Sequence, residues 1–210
     1  PETDAGDANL QTRKMFEENG LDYDKWLKYD KPYRFEYNGK PYEIDLWKRN
    51  PGHDLFMGSY GKGCISLDGL NKEGIIDALM NTLTQFAEIK DLSKGKTVGY
   101  ARCFWGKKVK DNEKVLIIDN IHYKYDQEEN AGRLIKPVGE FMKAYAKEVS
   151  GKDSKVYLGS CCNLPYEEIK TELPVEVIGK TPNNMYYLNS VHDSNWSRIS
   201  KAVKAKVYEL

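Results

Sequence analysis

The feature that most restricts what this chain can fold into is one strand-like run followed closely by one long amphipathic stretch. Lys114 to Tyr125 contains Val-Leu-Ile-Ile-Asp and then Asn-Ile-His-Tyr, with neither glycine nor proline to interrupt it. Such a run is the strongest strand signal in the chain. From Arg133 the residues Leu134, Ile135, Val138, Phe141, Met142, Tyr145 and Val149 recur with a 3.6-residue period, and Gly151 supplies a stop. Pro137 is expected inside the first turn of that helix, where a missing N–H is tolerated. A strong strand leading into a long one-sided helix, among further strands, points to a sheet with helices laid on it. The predicted class is therefore mixed α/β (α+β).

The rest of the chain supplies further strands. Pro1 to Asn9 is small, polar and acidic, and is expected to be a frayed leader. Leu10, Met15 and Phe16, then Leu21, Trp26 and Leu27, predict two short helices broken at Asn19-Gly20, with Asp22 capping the second. Tyr33 to Tyr37 and Tyr42 to Trp47 predict a hairpin through Asn38-Gly39-Lys40-Pro41. Residues 50–63 are rich in glycine and read as a loop, and Ile75 to Leu83 has helical spacing. Phe86 to Lys90 and Thr97 to Trp105 join Lys114 to Tyr125 as three consecutive antiparallel strands. Strands are also expected at Lys155 to Gly159, Val175 to Ile178 and Met185 to Val191, with a short helix at Tyr166 to Leu173. The tail Trp196 to Leu210 has apolar residues at helical spacing and is expected to be a helix. The expected division is an extension over 1–41, a main domain over 42–191 and a C-terminal helix over 192–210.

Charge excludes several functions. Thirty-two basic and 32 acidic residues cancel, so the chain as a whole offers no field for a nucleic-acid backbone or an anionic membrane. No run approaches the ~20 apolar residues of a membrane span. Cys64, Cys103, Cys161 and Cys162 lack CxxC spacing, and His53, His122 and His192 are scattered, so neither a zinc site nor a disulfide framework is indicated. Reduced thiols fit a cytoplasmic compartment. Residue 1 is Pro rather than Met, and the chain is expected to be trimmed or cut from a longer one.

From Tyr42 onward the predicted order is strand, loop and helix, three strands, a long helix, a strand, a short helix and two strands. That order resembles the GNAT acyltransferase superfamily, and local sequence adds to it. Gly95-Lys96-Thr97-Val98-Gly99-Tyr100 is similar to that family's third strand. Leu116-Ile117-Ile118-Asp119-Asn120-Ile121-His122-Tyr123 is similar to its fourth, which runs into the acyl-CoA site. Gln127-Glu128-Glu129-Asn130-Ala131-Gly132 resembles the family's pyrophosphate loop, keeping the first and last positions and placing Asn130 where a glycine is usual. Asparagine tolerates positive φ better than most residues. Lys155 to Ser160 followed by Asn163 resembles the fifth strand and the asparagine after it.

The resemblance implies a mostly antiparallel sheet flanked by helices, acetyl-CoA or another acyl-CoA as co-substrate, no metal, and a small-molecule or peptide amine as acceptor. It implies cofactor contacts from Gln127, Asn130, Ala131, Gly132, Arg133 and Asn163, and from the backbone N–H groups of Ile121 and Tyr123. For catalysis it implies a base, His122 or Asp119, and Tyr166 as the acid toward the leaving thiolate, although Tyr166 stands about one turn before the usual position, which Lys170 occupies. Asp119 and His122 point to opposite faces of a regular strand, and only a bulge brings them to one side. Asp126, Glu128 and Glu129 repel a pyrophosphate unless turned outward. They favour a second reading, a non-catalytic binding module of the same fold. A third takes Cys64, His122 and Asn163 as a cysteine hydrolase, yet Cys64 precedes an apolar strand-like run instead of a helix that would favour its thiolate.

Overall fold

The computed structural model describes residues 4–48, 83–123, 131–159, 171–178, 191–192 and 202–209. The chain begins with a helix, α1, over Asp4–Glu18. The expected leader is thus helical from Asp4, in keeping with acidic residues favouring a helix N-terminus. Gly20, at φ 70°, ends α1: Leu21 N–H reaches the Phe16 carbonyl and Gly20 N–H the Glu17 carbonyl, both at 2.9 Å. This pair of bonds is the Schellman stop. Asp22 then caps α2, Tyr23–Leu27, by accepting from Lys25 N–H at 3.0 Å.

The hairpin forms as expected, with a tighter turn. Strand β1 is Tyr33–Tyr37 and β2 is Lys40–Leu46, so only Asn38 and Gly39 lie between them, at φ 51° and 70°. Two positive φ values in a two-residue loop match the twist of the flanking strands. Next come β3 (Thr84–Asp91), β4 (Lys96–Lys108) and β5 (Lys114–Tyr123), each antiparallel to the one before. The long helix, α3, is Ala131–Ser150, and Gly151 leaves it at φ 68°. Because α3 starts two residues early, Pro137 is its seventh residue and lies in the second turn instead of the first.

Strand β6 (Val156–Gly159) runs parallel to β5. Two expectations fail beyond it. Thr171–Val177 is a strand, β7, so residues 171–173 are not the end of a helix; Leu173 precedes Pro174, and the residue before proline disfavours helical backbone. The tail is a strand too, β9 over Ala202–Glu209, where a helix was expected. Val203, Ala205 and Val207 alternate with Lys204 and Lys206, a period of two that the Val203 to Val207 spacing masks. Val191–His192 forms β8 against β9. The expected loop at 50–63, the helix before Leu83, and residues 166–170 and 185–190 lie outside the described residues.

The strand order is β1-β2-β3-β4-β5-β6-β9-β7, and every pairing is antiparallel except β5 with β6. The 13-residue β4 also pairs at its end with β7, Gly106 opposite Val177. A Cβ on Gly106 would stand 3.2 Å from the Val175 Cβ, so glycine lets these strands close. This is a mixed α+β fold with a curled, mostly antiparallel sheet.

The two sheet faces differ. On the helix side, Leu134, Val138, Phe141, Met142, Tyr145 and Val149 of α3 pack with Ala101, Cys103, Trp105, Leu116, Ile118 and Ile121. Phe16, Leu21, Tyr23 and Trp26 belong to the same cluster, and the Tyr145 hydroxyl donates to the Trp26 carbonyl. The other face carries a smaller apolar cluster within the curl, including Phe104, Val115, Ile117, Tyr157, Val175 and Val177.

Candidate functional site

Strand β5 contains the irregularity that the two candidate bases require. Cys103 of β4 pairs with Ile118, but Arg102 pairs with Asn120, leaving Asp119 as an extra residue. Such a bulge reverses the alternation of side chains beyond it. Leu116 and Ile118 before it and Ile121 and Tyr123 after it therefore all reach the helix-side core. Asn120 and His122 share the opposite face with their register partners Arg102 and Tyr100. The sequence does not declare the bulge, because Val115, Leu116, Ile117 and Ile118 are all apolar and show no alternation whose reversal could be read.

Asp119 turns to Arg102. Arg102 Nε donates to Asp119 Oδ2 at 2.8 Å, and Nη2 donates to the same oxygen. Both side chains are fully buried, so the pair must neutralise itself locally. Arg102 was not singled out in the sequence, although a lone arginine between Ala101 and Cys103-Phe104-Trp105 is the anomaly that marks it.

His122 is half-buried and lies against Tyr100, ring centroids 4.9 Å apart. Burial is the main force that lowers its pKa to about 4; the Arg102 cation pushes the same way and Asp119 opposes. At neutral pH the imidazole is uncharged and has a lone pair to offer. Tyr100 packs in turn on Trp47 and Phe86.

The register extends this site into a row across four strands, Asp45, Glu88, Tyr100 and His122, each opposite the next. The carboxylates are buried yet held by cations, Lys48 at 3.3 Å from Asp45 and Lys90 at 3.0 Å from Glu88. Thr97 donates its hydroxyl to Glu88. Beside the row, Asn120 is 1% exposed, and its Oδ1 has no hydrogen-bond partner among the described residues.

Just before the same bulge, the register between β5 and β6 ends among the described residues. Their register covers Leu116 to Ile118 against Val156 to Leu158, while β5 continues to Tyr123 and β6 ends at Gly159. Ile121 and Tyr123 lie on β5 beyond that register. Ala131, Gly132 and Arg133 form the first turn of α3, where backbone N–H groups lack intrahelical partners. Gln127, Asn130, Asn163, Tyr166 and Cys64 fall outside the described residues. Cys103 is buried against α3, and burial pushes its thiol pKa up, away from the nucleophilic thiolate. Among the described residues, no group of three or more histidines, cysteines or carboxylates could hold a metal ion. No helix among them is long and apolar enough to cross a membrane.

No protein family and no curated protein matches the chain by sequence. Solved structures do match by shape, N-acetyltransferases among them. Glucosamine-6-phosphate N-acetyltransferase from Arabidopsis thaliana aligns with 62% of this chain and 95% of its own, at 16% identity and a TM-score of 0.40. The GCN5-related glucosamine N-acetyltransferase region of a fungal multi-domain GH3 β-N-acetylglucosaminidase aligns with 58% of this chain, at 22% identity and a TM-score of 0.37. The match spans 14% of that fungal chain.

Proposed function

We propose that the chain is an acyl-CoA-dependent N-acyltransferase that moves an acetyl group from acetyl-CoA to an amine, small-molecule or peptide, in a ternary complex. The observation that carries this reading is the meeting of three features at one place. Among the described residues the register of β5 with β6 ends at Ile118, the bulge at Asp119 turns His122 to the Arg102 face, and β5 is the strand that precedes α3 in the chain. Backbone N–H groups that no neighbouring strand engages can meet a ligand, and a helix start favours a phosphate.

In this reading the N–H groups of Ile121 and Tyr123 address the thioester carbonyl and the pantetheine arm. Ala131, Gly132 and Arg133, with Gln127 and Asn130 before them, receive the pyrophosphate, and Asn163 borders the arm. The amine nitrogen attacks the thioester carbon, the carbon–sulfur bond breaks as the tetrahedral intermediate collapses, and Tyr166 returns a proton to the thiolate. His122 accepts the proton lost by nitrogen. A base with a pKa near 4 does not strip a free alkylammonium, whose pKa resembles the ~10.4 of lysine. It acts once the forming C–N bond has made that proton far more acidic. Asp119, tied to Arg102, steadies the imidazolium electrostatically as it forms. Residues 42–191 carry the transfer in this scheme, with residues 1–41 adding helices to the core.

Asp126, Glu128 and Glu129 favour the second reading, a module of the same fold without acyl-CoA. Thermal shift with acetyl-CoA, longer acyl-CoAs and free CoA separates the two. Ligand at ~100 times its dissociation constant stabilises by ~2.7 kcal/mol. Transferase function requires a concentration-dependent shift that Gly132→Trp abolishes, and no shift with any of the ligands overturns it.

A further inference from the structure

At one end of the strand order stands β1, five residues long, with a neighbour on one side only among the described residues. Asn38 and Gly39 are the whole turn to β2, so Tyr37 and Lys40 form a hydrogen-bonded pair, and by alternation so do Phe35 with Tyr42 and Tyr33 with Ile44. The N–H and C=O groups of Arg34 and Glu36 therefore point off the edge of the sheet. Arg34 and Glu36 are also exposed, whereas Tyr33, Phe35 and Tyr37 are half-buried and pack on the helix-side core. An open edge is a template for another strand, and natural sheets defend it with proline or with charges that repel a newcomer. β1 has no proline, and its two charges are of opposite sign. Glu36 faces Pro41 of β2, which offers it no counter-charge. Arg34 gives its Nε to Glu43 at 2.9 Å, and a guanidinium has further N–H donors.

We infer that β1 is an interface between two copies of this chain, paired antiparallel about a two-fold axis through Phe35. Only residues with outward backbone groups can form the hydrogen-bonded pairs, which leaves three ways to match Arg34 and Glu36 across a two-fold. Arg34 against the partner's Arg34, or Glu36 against the partner's Glu36, sets like charges face to face, and such pairs destabilise. Arg34 against the partner's Glu36 sets opposite charges together twice, with backbone hydrogen bonds exchanged at both pairs. That register makes the two Phe35 side chains the central pair. It extends across the axis an aromatic row already present in each copy, Tyr33, Phe35 and Tyr42, with ring centroids 6.2 and 5.4 Å apart. The dimer does not depend on the acyltransferase reading.

Sedimentation equilibrium of the full chain over a concentration series should show a monomer–dimer equilibrium. Glu36→Arg places like charges at both pairs and should weaken the dimer at least about tenfold, and Arg34→Glu should do the same with the opposite sign. Mixing the two variants restores opposite charges at both pairs, so the mixture should associate within about threefold of wild type although neither variant does so alone. If Arg34→Glu does not fold beside Glu43, Phe35→Cys takes its place. A central non-hydrogen-bonded pair has its Cα atoms ~4.5 Å apart, within disulfide reach, so oxidation should join two Phe35→Cys chains and leave the wild type, under the same conditions, unjoined. A monomer at every concentration, a dimer indifferent to Glu36→Arg, a mixture no tighter than its components, or a Phe35→Cys chain that joins no more than wild type overturns the inference.

Discussion

The two faces of strands β4 and β5 are built from the same backbone and solve opposite problems. Toward α3 the residues alternate as Ala101, Cys103, Trp105 and Leu116, Ile118, Ile121, a continuous apolar surface. Toward the other side stand Tyr100, Arg102, Asp119, Asn120 and His122. That second set is nearly as enclosed, with Arg102 and Asp119 both at 0% exposure, yet its charged members need one another. Burial of hydrocarbon stabilises roughly in proportion to area, whereas burial of an ion pair repays its desolvation only when both partners remain. One face is suited to holding the molecule together and the other to chemistry.

The contrast should be sharpest when the ion pair is halved. Arg102→Met leaves Asp119 buried without its counter-charge and should destabilise by about 3–5 kcal/mol. The double variant Arg102→Met, Asp119→Leu should recover most of that loss. On the helix face, Ile44→Val and Val156→Ala, truncations on strands far apart in the sheet order, should instead add within about 0.5 kcal/mol. Urea denaturation of the two sets measures this directly, and an additive result for Arg102 and Asp119 would show that the pair is not coupled.

Acid should act on one face only. The unfolded His122 has a pKa of ~6.5, and the folded value is about 4. Between these values the unfolded state holds the extra proton, so stability rises with pH. The contribution is fully present above pH ~6.5 and is lost as pH falls through about 4, amounting to roughly 3 kcal/mol. His122→Gln should flatten the stability profile across that window, and a profile of unchanged slope would place His122 in a more solvated setting.

Gly99 joins the two faces. A Cβ there would meet the His122 carbonyl oxygen at 2.4 Å and Tyr123 Cδ2 at 3.1 Å, so Gly99→Ala must push β5 away from β4 beyond the bulge. The expected cost is about 1–3 kcal/mol, together with a weaker response to acetyl-CoA, since the displaced segment carries Ile121 and Tyr123. Denaturation and thermal shift on one sample read both.

How much of this could be read from the sequence follows the same division. Apolar period alone located β3, β4, β5 and α3, and Asn38-Gly39 located the hairpin, because local chemistry and tertiary packing agree there. The tail misled because Val203 and Val207 satisfy helical spacing as well as strand alternation; the choice was made by pairing with β6 and β7, which lie far away in sequence. The start of α1 misled because a small acidic segment has no apolar period to declare it. On the site face, His122 and Asp119 stood out as titratable residues on a strong strand. Their common side did not, since it depends on a one-residue bulge that only the register against Arg102 and Cys103 defines. Arg102 and Asn120 were passed over because their importance lies in what surrounds them.

The smallest effect belongs wholly to the helix side. Asp22 caps α2 through its Oδ1 and, with its own N–H, donates to the Val149 carbonyl at the end of α3 at 2.8 Å. Asp22→Ala removes the side-chain cap and keeps the backbone bond, so it should cost about 1 kcal/mol. Asp22→Asn, which also accepts from an N–H, should cost a few tenths at most. Neither should alter the acetyl-CoA thermal shift or the pH window of His122, because α2 packs on α3 and reaches the site only through the apolar core. A changed ligand response in Asp22→Ala would mean that the helix layer transmits strain through the sheet, and the separation of the two faces would then fail where it should be easiest to keep.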